Sequence, residues 1–206
     1  MAWIQKLPTL TLDNLPDVLC IQESHPTSNF QPSIPHYHVI RKGRPPSKGK
    51  GGGPMVCVKT SLGISKIDVA LPGSSNLEVL GIAVHGFSFL TFTNPSDPLT
   101  PAFFDFLSKV AKVILCGDFN AHHGMWGSVY TNCSGRSLVE ALDVHDFVVL
   151  NTTTPTHLSF TGRNALSLLD LVLVSSSCAS LCTSTVASEF LGSDHSVVLA
   201  QSAITL

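Results

Sequence analysis

Charge is scarce in this sequence. Asp, Glu, Lys and Arg make up 13 % of its 206 residues, against 44 % hydrophobic. That excludes a charge-rich disordered chain and leaves ample material for one buried core, so residues 1–206 are read as a single domain. Long hydrophobic runs are absent as well. No apolar stretch approaches the roughly 18 residues needed to span a bilayer, so no membrane partner is expected. The N-terminus lacks a basic region, an apolar core and a small-residue cleavage site, so no signal peptide is expected. CxxC pairs are missing. Of the six cysteines, Cys20, Cys57 and Cys116 lie inside apolar, strand-like runs and read as small core residues of a reducing, intracellular compartment. Cys178 and Cys182 are four apart, but nothing nearby completes a zinc set. No P-loop, GxSxG or HExxH is present to direct the chemistry towards nucleotide, serine-hydrolase or zinc-protease mechanisms.

What is abundant is punctuation. The 13 prolines and 15 glycines imply many short elements rather than long helices. "MAWIQKLPTLTLDNL" has a partly helical apolar spacing and predicts a short first helix. Strands follow at "DVLCIQE", "HYHVI" and "PMVCVKT", and "LEVLGIAVHGFSFLTFT" holds two strand-like runs that break near His85 and Gly86, as a hairpin would. "SDPLTPAFFDFLSKVA" predicts a helix with Ser96 or Asp97 as its cap, and "SGRSLVEALDVHD" an amphipathic helix. "KVILCGDFN" is an apolar strand covered on both faces. "FVVLN", "THLSF", "SLLDLVLVS", "STVAS" and "HSVVLAQS" read as successive strands, the last opened by Asp194 and His195. Without a regular βαβ alternation, the pattern favours an α+β layered sandwich over a doubly wound sheet.

Net charge is −2, which rules out a polycation, but five of the 12 basic residues crowd into "RKGRPPSKGKGGG": Arg41, Lys42, Arg44, Lys48 and Lys50. They read either as a solvated loop or as an arm that contacts phosphates.

Acids and amides recur at, or just past, the ends of apolar strands. Glu23 follows "VLCIQ", and Asp118 and Asn120 follow "VILCG". Asp170 is flanked by Leu168, Leu169, Leu171, Val172 and Leu173, where an unpartnered carboxylate would be costly to bury. It either satisfies a backbone turn or an arginine, or serves a site. Asp118 and Asn120 are two apart and in extended backbone would point the same way, an anion beside an amide able to hold a water or a phosphate oxygen. The same pair also suits an ordinary Asx turn. His122 and His123 read as ligands or as solvent-facing loop residues, and Trp126 as a stacking wedge or a packing anchor. His195 suits a general acid or phosphate-binding role. Its neighbour Asp194 would point away from it along a strand, which leaves Asp170 as the carboxylate able to orient the imidazole. Four acids, an amide and a histidine at strand ends meet the needs of Mg²⁺-assisted phosphodiester hydrolysis, because Mg²⁺ takes oxygen ligands and few protein groups.

"DVLCIQES", "GDFNAHHGMWGS", "SLLDLVLVS" and "GSDHSVV", in that order, resemble the endonuclease/exonuclease/phosphatase superfamily, and in detail the apurinic-type endonuclease domain of non-LTR retrotransposons. "GGGPMVCVKTSL" and "TNCSGRSLVEAL" resemble further parts of that domain. The resemblance implies a four-layer α/β/β/α sandwich of two packed mixed sheets. It implies Glu23 as a ligand of Mg²⁺, for which Mn²⁺ can substitute, with Asp194 beside the metal or its waters. Asp118 would orient or deprotonate the attacking water, Asn120 would position water and phosphate, and His195 would bind the scissile phosphate, oriented by Asp170. Ser167 resembles a small hydroxyl position able to touch phosphate. The implied activity is nicking of target DNA in the nucleus, in association with a reverse transcriptase of the same polyprotein. The family's first strand carries a catalytic asparagine and precedes the first helix. Met1 falls near or within that helix, so the chain reads as N-terminally truncated, and Phe92 stands where the family commonly has a tyrosine. The alternatives are a phosphatase or phosphodiesterase of the same superfamily, and a catalytically impaired remnant that binds nucleic acid.

Overall fold

The computed structural model describes residues 16–24, 32–43, 53–69, 77–93, 98–151, 153–159, 165–188 and 192–203. The expected first helix, the candidate caps Ser96 and Asp97, and the basic residues Arg44, Lys48 and Lys50 lie outside them.

A mixed sheet of six strands forms the centre. Its order is β4 (Ile64–Ile67), β5 (Glu78–Val84), β6 (Phe87–Thr93), β7 (Val113–Asp118), β11 (Asp170–Ser175) and β8 (Phe147–Val149). Only β6 and β7 run parallel; the other pairs are antiparallel. The hairpin between β5 and β6 turns on His85 and Gly86, both at positive φ, where the sequence reading broke the two runs.

Strand alternation divides the core. Val113 and Leu115 of β7, Leu171 and Leu173 of β11, and Leu90 and Phe92 of β6 face one side. There they meet Phe103, Phe104 and Leu107 of helix α1 (Pro101–Leu107) and Leu138 and Ala141 of helix α2 (Cys133–Val144). The alternate residues Ile114, Val172 and Val174 face the other side, against Cys178 and Cys182. These belong to α3 (Ser176–Ala179) and to β12 (Cys182–Val186), which pairs with β13 (Val198–Ser202). On that same side β1 (Val18–Ile21), β3 (Met55–Lys59) and β2 (Tyr37–Arg41) form a three-stranded sheet, packed through Val56 and Val58 onto Ile82 and Val84. The period of two, apolar on both faces, is why the central strands read as continuous hydrophobic runs. The result is an α+β sandwich in which, among the described residues, the second sheet layer is split between β1-β3-β2 and β12-β13.

Three details differ from the sequence reading. Helix α1 begins five residues beyond Ser96 and four beyond Asp97, with Thr100 at the N-cap position making no side-chain cap bond and Pro101 in the first turn, where proline loses no hydrogen bond. Strand β4, "ISKI", was not expected; its two central residues are exposed at the sheet edge, so its apolar signal is only two residues strong. The last strand begins at Val198, not at Asp194; His195 forms only an isolated bridge with His157 of β9 (His157–Ser159), which pairs with β10 (Ala165–Ser167).

Gly117 leaves the space that Phe92 fills: a Cβ there would meet the ring at 2.8 Å. Gly117→Ala is expected to lower the unfolding free energy by about 1–3 kcal/mol in urea titrations, the usual cost of overpacking a core. Gly63→Ala, with nothing within 4 Å of the added carbon, is expected to be near neutral. Equal effects at the two positions would contradict this packing.

Candidate active site

The site is built on one register. β7 ends and β11 begins at the same rim, and their antiparallel pairing sets Asp118 opposite Asp170. Directly opposed residues on neighbouring strands hold their side chains about 5 Å apart, so two carboxylates become neighbours because of backbone pairing alone. Asp170 is the first residue of its strand rather than an interior one, which is how it escapes full burial.

Backbone and side-chain bonds fix that end of β11. Thr156, fully buried, accepts from the backbone N–H groups of Leu169 and Asp170 through its Oγ1, at 3.1 and 3.0 Å. Asn151 donates through Nδ2 to the Asp170 carbonyl at 2.7 Å and accepts from Val172 N at 2.8 Å. The Thr156 carbonyl accepts from Ser196 N, which tethers the segment carrying His195. His195 Nδ1 lies 2.7 Å from Asp170 Oδ2, so Asp170, not the adjacent Asp194, holds the imidazole. Burial alone would lower the basicity of His195; the bond to Asp170, then the charges of Asp170, Asp118 and Asp194, overcome this and push its pKa up to about 9.

Beyond Asp118 the chain turns sharply. Asn120 has φ +47°, a left-handed conformation that asparagine tolerates. Its N–H donates to Asp118 Oδ1 at 2.9 Å and its Nδ2 to Oδ2 at 3.2 Å. The two side chains therefore meet through an Asx-type turn and not, as expected, through extended backbone. Asn132, the cap of α2, anchors this loop. Its Oδ1 accepts from His122 N and Gly135 N, and its Nδ2 donates to the Asn120 carbonyl at 2.7 Å. Trp126 is buried, and its Nε1 donates to the Ala121 carbonyl at 2.8 Å, so it is a packing anchor. His122 stacks on Tyr130 at 4.3 Å between ring centres, and His123 caps a single 3₁₀ turn (Gly124–Trp126); both serve the loop.

Glu23 reaches the same rim from the other sheet. It stands at φ +45° between two tied neighbours: Gln22 donates to Thr91 Oγ1 of β6 at 2.6 Å, and Ser24 donates to the Gly53 carbonyl at 2.9 Å. Gly53 is itself at φ +88°, and a Cβ there would strike the Lys42 carbonyl. Glu23 is close enough to act on Asp118. Burial first, then the charge of Asp170, and finally that of Glu23 push the Asp118 carboxyl up to about 6, against the Asn120 N–H and His195, which lower it. Asp194 is exposed and lies 3.8 Å from His157 Nε2. Ser167 pairs in register with His157, which bridges His195, so it lies beside the site, with its carbonyl accepting from Thr156 N. Arg41 and Lys42 are set apart. Ile21 and Arg41 flank Met55 in register, two strands from each other or about 10 Å, and Arg41 and Lys42 line a shallow cleft with Lys66 and Asp68.

The structure thus gathers Glu23, Asp118, Asn120, Asp170, Asp194 and His195 at one rim. Four carboxylates face one imidazole and one amide, an oxygen-rich set with excess negative charge. That chemistry fits Mg²⁺, which takes carboxylate oxygens and keeps its waters. Asn132, Asn151, Thr156 and Gln22 escaped sequence reasoning. Their signal was present only as polar residues next to strand or helix ends.

The profile of the Endonuclease-reverse transcriptase family matches residues 88–199, more than half of the chain. The chain belongs to that family. Its fold is that of the endonuclease/exonuclease/phosphatase superfamily. The RNA-directed DNA polymerase from mobile element jockey of Drosophila funebris is 28 % identical over 173 residues; these are 80 % of this chain and 18 % of that relative, so the chain spans less than a fifth of its length. The endonuclease domain of TRAS1, a telomere-specific non-LTR retrotransposon, superposes with a TM-score of 0.72 at 18 % identity, over 100 % of this chain and 94 % of that one. The 3′-5′ exonuclease (NExo) from Neisseria meningitidis gives 0.73 at 18 % identity, over 98 % and 94 %. Both show a shared fold.

The raised His195 pKa makes metal-free stability depend on pH. The folded state holds the proton more tightly than the unfolded state, so the contribution is complete below about pH 6.5 and lost as pH rises through about 9. Relative to His195→Gln in EDTA, wild type is expected to lose on the order of 2 kcal/mol of urea-unfolding free energy between pH 6 and 9.5, after allowance for partial exposure. Parallel curves for the two proteins would contradict the Asp170–His195 pairing.

Proposed function

We propose that this chain is the endonuclease part of a mobile-element protein: a Mg²⁺-dependent enzyme that hydrolyses one DNA phosphodiester and leaves a 3′-hydroxyl. The observation that carries this reading is the Asp118–Asp170–His195 constellation, an oriented imidazolium beside a carboxylate of unusual basicity. An Asp118 pKa of about 6 leaves it ionised at neutral pH yet basic enough to take a proton from water in the transition state. Asn120, bonded to Asp118, orients that water and a phosphate oxygen through its amide. His195, kept charged by Asp170, binds the scissile phosphate with its free Nε2–H and balances the charge that grows on it.

Glu23 holds the ion, and Asp194 lies beside the ion or its waters; Mg²⁺ supplies charge neutralisation on phosphate and leaving oxygen when bound. Mn²⁺ is expected to replace it. Ser167 flanks the phosphate. Arg41 and Lys42, with Arg44, Lys48 and Lys50 of the same basic run, add backbone contacts that give salt-sensitive affinity without base specificity. DNA as substrate, action in the nucleus and a reverse transcriptase on the same longer chain are supported by family membership and by the jockey and TRAS1 likenesses.

The test is incubation with supercoiled plasmid. Nicking is expected with Mg²⁺, none in EDTA, and a loss of about 10²–10⁴-fold in Asp118→Ala and in His195→Ala, the usual scale for general acid–base groups. Nicking that persists in EDTA or in both variants overturns the reading. So does release of phosphate from small esters with the plasmid left intact.

A further inference from the structure

His157 has no part in the hydrolysis described above, yet it is built into the site. Its strand is tied to the segment 194–196 on both sides: Leu158 N donates to the Asp194 carbonyl at 2.9 Å, and Ser196 N to the Thr156 carbonyl at 2.6 Å. The His157 and His195 rings stand 4.6 Å apart, tilted at 47°. Asp194 Oδ2 is 3.8 Å from His157 Nε2. One ligand atom from each of His157, Asp194 and His195 lies within 4.8 Å of the other two, and among the described residues this is the one cluster of three or more His, Cys, Asp or Glu with such spacing.

Ligand atoms around a tetrahedral ion with bonds near 2.0 Å are about 3.3 Å apart, so side-chain rotations that bring the widest pair together by up to about 1.5 Å close this set. The nitrogen that would ligate is already set. Asp170 takes Nδ1 of His195 at 2.7 Å, which turns the opposite nitrogen, Nε2, outward. A carboxylate behind a histidine in this way raises its basicity as a ligand and fixes its orientation. Two imidazole nitrogens and one carboxylate oxygen suit Zn²⁺ or a similar transition-metal ion far better than Mg²⁺, which prefers an all-oxygen shell.

We infer that His157, Asp194 and His195 form a regulatory site for a transition-metal dication, with Zn²⁺ as the probe, which shares Asp194 and His195 with the rim but differs in donor chemistry from its all-oxygen side around Glu23 and Asp118. Occupation displaces the Nε2 proton of His195 to solvent and ties up that nitrogen as a ligand, so it can no longer donate to a phosphate oxygen. The inhibitory consequence rests on the proposed role of His195; the binding itself does not.

Two measurements test it, both in excess Mg²⁺ so that carboxylate-only sites are saturated. Co²⁺ titrated into wild type is expected to give the strong visible absorption of a nitrogen-containing, low-coordinate site at one equivalent, and Zn²⁺ to displace it. His157→Ala is expected to weaken binding by about tenfold or more, since ligand loss costs at least as much as loss of a ligand's outer partner. His145→Ala is the control: His145 lies 3.8 Å from Asp105 but its Nδ1 faces Ser108, with no third ligand among the described residues, and binding is expected to be unchanged. In unmutated protein, Zn²⁺ is expected to shield His157 from diethyl pyrocarbonate while the exposed His38 still reacts. Equal Co²⁺ affinity in wild type and His157→Ala, or unshielded His157, overturns the site. Zn²⁺ that binds but leaves nicking undiminished overturns the regulatory role. Shielding without any Mg²⁺-dependent nicking leaves the site standing and removes the endonuclease reading instead.

Discussion

Everything at the rim depends on one pairing of two strands. The register that sets Asp118 opposite Asp170 forces two carboxylates together, and the fold tolerates this because each has a separate relief. Asp170 is relieved by an imidazole at 2.7 Å, and Asp118 by the N–H and amide of Asn120. The relief of Asp118 is incomplete, since it still sits near pKa 6. A group of like charges held in place by backbone hydrogen bonds is a site made to receive a cation, whether an ion in solution or a protonated side chain. Shifting β11 by one residue would turn Asp170 to the opposite face and dissolve the arrangement.

The surrounding structure keeps that register from slipping. Thr156 and Asn151 satisfy the backbone at the start of β11, where the ladder has run out of partners. Asn132 does the same for the loop after β7, and buried Trp126 pins the loop from beneath. Gln22 bridges the two sheet layers and so fixes how far Glu23 extends towards Asp118. These are ordinary polar side chains closing ordinary backbone vacancies, and the reactive geometry is a by-product of that closure.

Much of this was legible in the sequence. Strands β5, β6 and β7 announced themselves through long apolar runs, and the hairpin through His85-Gly86. Asp170 stood out because a carboxylate among five aliphatic residues demands a partner. The choice of Asp170 over Asp194 as the partner of His195 followed from strand alternation, although the segment proved to be a bridge rather than a strand. Other parts were hidden. β4 carries only two apolar residues, and a buried Asn or Thr at a strand end looks like any turn residue until the chain that it bonds is seen. His157 gave no signal of its own, because its importance comes from a contact with a residue 38 positions away. The Asx turn at Asp118–Asn120 shows that the bland and the functional readings of a motif can hold together: the turn is what places the amide.

The account stands most directly on the charge state of His195. Its imidazole can be titrated by NMR in metal-free protein, in wild type and in Asp170→Asn. The account predicts a pKa of about 9 in wild type, falling markedly towards the ordinary 6.5 once the carboxylate is gone and burial is opposed only by the charges of Asp118 and Asp194. A wild-type value near 6.5, or one that Asp170→Asn leaves unmoved, would contradict it.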